Sequence, residues 1–273
     1  MIVLPHINPV LLDLGILQIR WYGMMYVLGF LIAWFLGRNE TVRRIDGKSL
    51  PLNTSIWADL ISYLATSIVV GGRLGYVCFY KPGYYFDNVG RIFAIWEGGM
   101  SFHGALIGFS VGLYLFSKHF KICFQSLIDV VCPLVAPGLA FGRLGNFING
   151  ELIGRVSDVP WAMVFPHSDL LPRHPSQLYE MLGEGGLLYL LMAWHKSHSN
   201  RVPGSLGPYF IFHYGWIRFL LEFYREPDFG VGFVWLHVFT MGQVLCLFML
   251  LVAVVWMYFL RYKFSNSSTP LVT

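Results

Sequence analysis

Three ionisable side chains stand where an apolar chain can least easily hold them. Arg143 sits in the run A-F-G-R-L-G-N-F-I-N-G-E-L-I-G-R, residues 140 to 155, with Asn146 three positions on and so on the same helix face. Glycines at 142, 145, 150 and 154 leave this stretch open to close backbone approach. Arg218 sits in F-H-Y-G-W-I-R-F-L-L-E-F-Y-R, residues 212 to 225, where Tyr214 and Glu222 flank it at four residues on either side and Arg225 follows at seven. These four make one polar stripe on an otherwise apolar helix. His103 opens another apolar run, after Trp96-Glu97-Gly98-Gly99-Met100-Ser101-Phe102. A charge at the centre of a membrane helix costs roughly 2.5 to 3.5 kcal/mol, so an interaction must offset it.

Two readings compete for the arginines. Arg218 and Glu222 could be an ion pair that holds helices together. Alternatively, two guanidiniums on different helices could clamp a phosphate, which their fixed fork suits better than a lysine ammonium; in a membrane the abundant phosphate is a lipid head group. Arg73 and Arg225 read as side chains that snorkel from span ends. His103 precedes a small-xxx-small face, Gly104, Gly108 and Gly112, that suits close helix packing. Its imidazole reads either as a satisfied polar group or as a proton acceptor.

Other patterns fail on context. Gly108-Phe109-Ser110-Val111-Gly112 matches a nucleophile elbow but falls inside an apolar helix instead of a strand-turn-helix. His195-Lys196-Ser197-His198 has no third ligand, so no metal site is expected. Cys78, Cys123, Cys132 and Cys246 show no paired spacing and read as buried small apolar residues.

The elements that must position these residues follow from composition. Of 273 residues, 56% are hydrophobic and 12% charged, and mean hydropathy is +0.57. That excludes a water-soluble surface and a nucleic-acid platform, and predicts an all-α polytopic membrane protein. Apolar windows run Leu17 to Gly37, Ile56 to Tyr76, Met100 to Phe116, Leu127 to Ile148, Gln177 to Trp194, Leu206 to Tyr224 and Val238 to Leu260, about seven transmembrane helices. Ten of the 19 basic residues follow odd-numbered windows, among them Arg38, Arg43, Arg44, Lys48 and Arg201, against six on the opposite side. This predicts an outside N-terminus and a cytoplasmic C-terminus. The N-terminal stretch lacks a basic region and a cleavage signal and is expected to stay attached along the interface. Residues 1–264 read as one transmembrane domain, with a small extracytoplasmic cap over about 150–175 and a disordered tail over 265–273. Gly72-Arg73-Leu74-Gly75 echoes Gly142-Arg143-Leu144-Gly145, too briefly to establish duplication.

The block Gly142 to Arg155 resembles the signature of the bacterial prolipoprotein diacylglyceryl transferases. The likeness extends to Arg20-Trp21-Tyr22-Gly23-Met24-Met25-Tyr26, Ser101-Phe102-His103-Gly104, Arg173-His174-Pro175-Ser176-Gln177-Leu178-Tyr179-Glu180, and Arg218 with Arg225-Glu226-Pro227-Asp228. The resemblance implies a seven-span enzyme of the bacterial inner membrane with its site toward the outer leaflet. Such an enzyme would move the diacylglyceryl group of phosphatidylglycerol onto the lipobox cysteine of a prolipoprotein, forming a thioether and releasing glycerol phosphate. No cofactor, metal or nucleic-acid partner is expected; membrane lipids are.

Residue by residue, the family's essential arginines fall on Arg143 and Arg218, its histidine on His103, and further important positions on Tyr26, Asn146, Glu151, Gly154 and Tyr214. The arginines would bind the lipid phosphate and neutralise the departing group. His103 would accept the thiol proton, or would bond a glycerol hydroxyl while Tyr26 assists. A transporter is the competing class, expected to carry broken helices in two repeats and acidic residues near the midplane. A structural scaffold leaves the costly arginines unexplained.

Overall fold

The computed structural model describes residues 2–5, 7–15, 18–166, 168–198, 202–227, 233–235 and 239–266. Leu17 and Val238, where two apolar windows begin, Arg201, Asp228 and residues 267–273 of the tail lie outside the described residues. The helices are α1 (Trp21–Gly37), α2 (Thr54–Phe79), α3 (Pro82–Asp87), α4 (Phe102–His119), α5 (Phe124–Asn149), α6 (Ser176–Glu180), α7 (Leu188–Ser197), α8 (Leu206–Leu221) and α9 (Met241–Ser265). A π-helical segment, Met181–Leu187, joins α6 to α7 without a break. All seven apolar windows are thus helical over most of their length. Among the described residues α2, α5 and α9 are long and apolar enough to cross a membrane, and α1 is a shorter apolar helix.

The chain divides into two compact units, Leu36–Leu127 and Met1–Phe35 with Ile128–Thr273. In the first, α2 and α4 pack through small residues, as the glycine spacing predicts. A side chain at Gly75 would sit 2.8 Å from the Cα of Gly104, and one at Gly108 would strike the carbonyl of Ser67. Ser101 caps α4, its hydroxyl accepting from the N–H of Gly104 at 3.2 Å. Ser110 bonds back to the Leu106 carbonyl at 2.9 Å, so the elbow-like pentapeptide is plain helix.

Arg73 corrects the snorkelling reading. It is buried, and its guanidinium donates to the carbonyls of Ile92 at 2.8 Å, Arg91 at 2.6 Å, and Gly98 and Gly99 at 2.5 and 3.2 Å. Tyr85 lies under it, 5.1 Å from ring centre to guanidinium carbon, and is buried. The cysteine reading needs correction as well: Cys246 is buried, whereas Cys78 is exposed on the outer face of α2 and the other two are half-buried.

In the second unit, Ala136 of α5, Leu188 and Met192 of α7, and Leu206 and Ile217 of α8 form a buried core. Burying side chains of this kind contributes roughly 1.5 to 3 kcal/mol each. It fixes α5 and α8, which carry Arg143 and Arg218, and α7, which continues the π-helical segment that carries Glu184. The α1 and α5 backbones cross at Gly29 and Gly138, where a Cβ on Gly29 would meet the Gly138 Cα at 3.1 Å. Pro133 and Pro137 lie inside α5, a placement membrane helices tolerate when neighbours satisfy the freed carbonyls. Asp129 on α5 is buried and accepts from the N–H groups of Gly204 and Leu206 at 2.8 and 3.0 Å, so a carboxylate from one helix caps the positive end of α8. Ile2–Val3 pairs in parallel with Met163–Val164, which pairs antiparallel with Pro172–Arg173.

Candidate active site

Arg143 projects from α5 and Arg218 from α8, and the segment between them in space is the π-helical turn. Glycines set its depth. Gly185 lies against Ala140 of α5 so closely that any side chain would clash. A Cβ on Gly183 would sit 2.8 Å from Leu221 and 2.9 Å from Ile217 of α8. Glu184, between these glycines, therefore reaches both arginine helices with its short side chain.

The carboxylates bind the guanidiniums from below. Oε2 of Glu184 accepts from both Nε and Nη2 of Arg143 at 2.9 Å, and its Oε1 lies 3.6 Å from Nε of Arg218. Glu180 accepts from Nη1 of Arg218 at 2.6 Å, faces Nη1 of Arg143 at 3.2 Å and Nη1 of Arg225 at 3.7 Å. Glu222 pairs with Nη2 of Arg218 at 2.6 Å. Arg225 is buried in this network, which corrects its reading as a snorkelling residue. Three carboxylates thus balance three guanidiniums, the arrangement buried charge requires.

The network is not closed on every side. The Glu180 and Glu184 side chains are 0% exposed, while those of Arg143 and Arg218 retain 17% and 12%. Each arginine places all three of its guanidinium nitrogens 2.6 to 3.6 Å from these carboxylates and still keeps part of its side chain exposed. The accessible part of the cluster is cationic.

The other sequence-derived positions of this unit gather nearby. Tyr214 and Tyr26 are within electrostatic reach of Arg143. Tyr26 shares a hydroxyl contact of 3.2 Å with Tyr22, whose ring lies 2.9 Å from where a Cβ on Gly145 would stand. Asn146 is buried and donates to Glu151 at 3.4 Å, and Asn149 donates to the other oxygen of Glu151 at 3.2 Å. Gly154 lets its strand press against His174 and Tyr224, with its N–H donating to the His174 carbonyl at 3.2 Å. His103 belongs to the other unit, exposed in the first turn of α4.

Arg173 ties the 150–175 segment together. It donates to Asp169 at 3.0 and 2.6 Å, to Glu226 at 3.1 Å and to the Gly154 carbonyl at 2.9 Å. Those hydrogen bonds hold the Asp169 carboxyl well down, to about 2, and burial pushes the His174 imidazole below its ordinary value. Arg155 Nε donates to the Arg225 carbonyl at 2.9 Å, which fastens the segment to the end of α8.

Sequence reading missed Glu180 and Glu184 as members of the site. Their signal was present: two carboxylates four residues apart in an apolar window demand the same compensation as the arginines. His195 and His213 are bonded to each other at 2.8 Å, and no group of three potential metal-binding side chains occurs among the described residues.

A transmembrane-type helical unit with a buried, partly open arginine–carboxylate cluster suits recognition of an anionic lipid head group. The family description "Prolipoprotein diacylglyceryl transferase" matches residues 9–259, and the chain belongs to that family. A relative from Bordetella parapertussis, named phosphatidylglycerol–prolipoprotein diacylglyceryl transferase, is 50% identical over 253 residues, 92% of this chain and 94% of its own. Proteins of the same name from Nitratidesulfovibrio vulgaris strain DP4 and Legionella pneumophila strain Lens are 46% and 44% identical. They match 90% and 96% of this chain and 92% and 100% of their own.

Proposed function

We propose that this chain is a transferase that moves the diacylglyceryl group of phosphatidylglycerol to the thiol of a lipobox cysteine, the first step of lipoprotein maturation. The cysteine sulfur attacks the glyceryl carbon that bears the phosphate ester. The C–S bond forms as the C–O bond breaks, the electron pair leaves on the phosphate of glycerol phosphate, and the thiol proton passes to a base. The observation that carries this reading is the pair of partly exposed guanidiniums. Arg143 and Arg218 come from different helices, share two fully buried carboxylates, and are the accessible members of the cluster.

In this reading the arginines bind the phosphate and neutralise the charge that develops as it departs, where a dry setting gives such donors most effect. Glu180 and Glu184 hold the two forks at fixed spacing. Asn146, Glu151, Gly154 and Tyr214 shape the lipid and peptide site, while His103 accepts the thiol proton and Tyr26 assists. The chain lies in the bacterial inner membrane as one transmembrane domain of seven spans, N-terminus out and C-terminus in the cytoplasm. The site opens toward the outer leaflet beneath a cap formed by 150–175.

Mass spectrometry of a lipobox peptide incubated with the purified protein and phosphatidylglycerol tests the transfer. A diacylglyceryl mass gain on the cysteine peptide, absent from a cysteine-to-serine peptide and lost in Arg143→Ala and Arg218→Ala, is the expected result. Lipid binding without any mass gain would instead favour a lipid carrier.

A further inference from the structure

The sequence Thr240-Met241-Gly242-Gln243 opens α9 with a capping box, and the threonine hydroxyl makes one bond beyond it. Thr240 Oγ1 accepts from the Gln243 N–H at 3.3 Å while Gln243 Oε1 accepts from the Thr240 N–H at 3.1 Å. An ordinary N-cap needs no more. Here the Thr240 hydroxyl proton goes to Oε1 of Glu222 at 2.8 Å, and the other oxygen of Glu222 holds Nη2 of Arg218 at 2.6 Å.

Thr240, Gln243 and Glu222 are all buried, so water has little access to replace these bonds. Gly242 supports the same point independently. Its backbone is ordinary helix and does not require glycine. Yet a Cβ there would stand 2.8 Å from Glu222 Oε1 and 3.1 Å from its carboxyl carbon. A side chain at this position would displace the carboxylate from the place it occupies.

We infer that Thr240 and Gly242 are positioning residues for the transfer reaction: together they seat the Glu222 carboxylate at the start of α9, and through it fix the direction of the Arg218 fork. The inference rests on the phosphate-binding reading of Arg218. Neither residue touches the lipid. Thr240 acts as donor, Gly242 as the missing side chain, and the positive end of α9 favours the negative charge placed beside it.

Steady-state kinetics of peptide modification, varying phosphatidylglycerol in mixed micelles, tests the relay with the full-length chain. Thr240→Val keeps the shape and removes the hydroxyl; it is expected to lower kcat about tenfold with KM for the lipid changed less than about threefold, the pattern of a lost transition-state interaction. Thr240→Ser, which can still donate, is expected to recover most of that loss. Gly242→Ala is expected to lower kcat similarly although alanine is the better helix former, an outcome that loss of helix stability cannot produce.

In a Glu222→Gln background, Thr240→Val is expected to add no further loss, because both changes act through one carboxylate. Wild-type kcat in both Thr240→Val and Gly242→Ala, or losses that multiply in the double variant, would overturn the relay. If Thr240→Val does not fold, Gly242→Ala alone and with Glu222→Gln decides between these outcomes. A wild-type chain that modifies no peptide would overturn the transferase reading, and the relay with it.

Discussion

At the residue scale, the cluster depends on shape as much as on charge. Arg143 presents Nε and Nη2 as a parallel edge to Glu184 and keeps the rest of its fork elsewhere. A lysine supplies one point charge and cannot do both. Arg143→Lys is therefore expected to lower kcat/KM at least about 100-fold, measured as initial rates of peptide modification; near wild-type rates would refute the fork. Glu180 faces three guanidiniums with a side chain wholly removed from solvent. Glu180→Gln leaves three arginines with two carboxylates, and is expected to destabilise the protein by about 3 to 5 kcal/mol, read as a lowered Tm in detergent.

At the element scale, α8 is held at both ends by groups outside it. Asp129 meets its first N–H groups, and Glu222 follows its last turn. Asp129→Ala removes the acceptor for two buried N–H groups and is expected to cost about 1 to 3 kcal/mol. Thermal unfolding monitored by circular dichroism checks this. The helices themselves were legible in the sequence because hydrophobic length is a local property, and each of the seven windows between Leu17 and Leu260 carries one. The glycine face of α4 was equally legible, since Gly104, Gly108 and Gly112 repeat at helical spacing. Arg73 was not: its carbonyl partners lie 18 to 26 residues away, in a short 3-10 turn and the glycine pair after it, which no periodicity announces. In the site, Arg143 and Arg218 stood out by their cost, whereas Glu180 and Glu184 were absorbed into a window counted as apolar.

At the scale of the whole molecule, the 150–175 segment is fastened by ionisable groups, so its order depends on pH. The folded value for Asp169 lies below the ordinary carboxylate range, so its bond to Arg173 adds stability above that range, and the gain is lost as pH falls toward about 2. His174 acts in the same direction. Its folded imidazole holds a proton less tightly than the unfolded one, so acidification through the ordinary histidine range favours the unfolded segment. Protection factors in 150–175, which correct for the slower intrinsic exchange of amides in acid, are expected to drop on acidification from neutral pH ahead of those in α5 and α8. Bound lipobox peptide is expected to slow exchange and proteolysis there; a segment indifferent to the peptide would not be a cap.

The π-helical turn has a consequence for how this chain can change over evolutionary time. Its i→i+5 bonds accommodate one residue more per turn than an α-helix would, and Gly183, Gly185 and Gly186 lower the preference for the regular alternative. Deleting a single residue between 181 and 187 would let the segment relax into a better helix by every local criterion. The same deletion would rotate Glu180 relative to the helix that follows, and part the carboxylates from the arginines they share. Natural variants of this region are therefore bound in length as well as at Gly183, Glu184 and Gly185, and a shortened descendant would inherit a sounder helix without the carboxylates its arginines share.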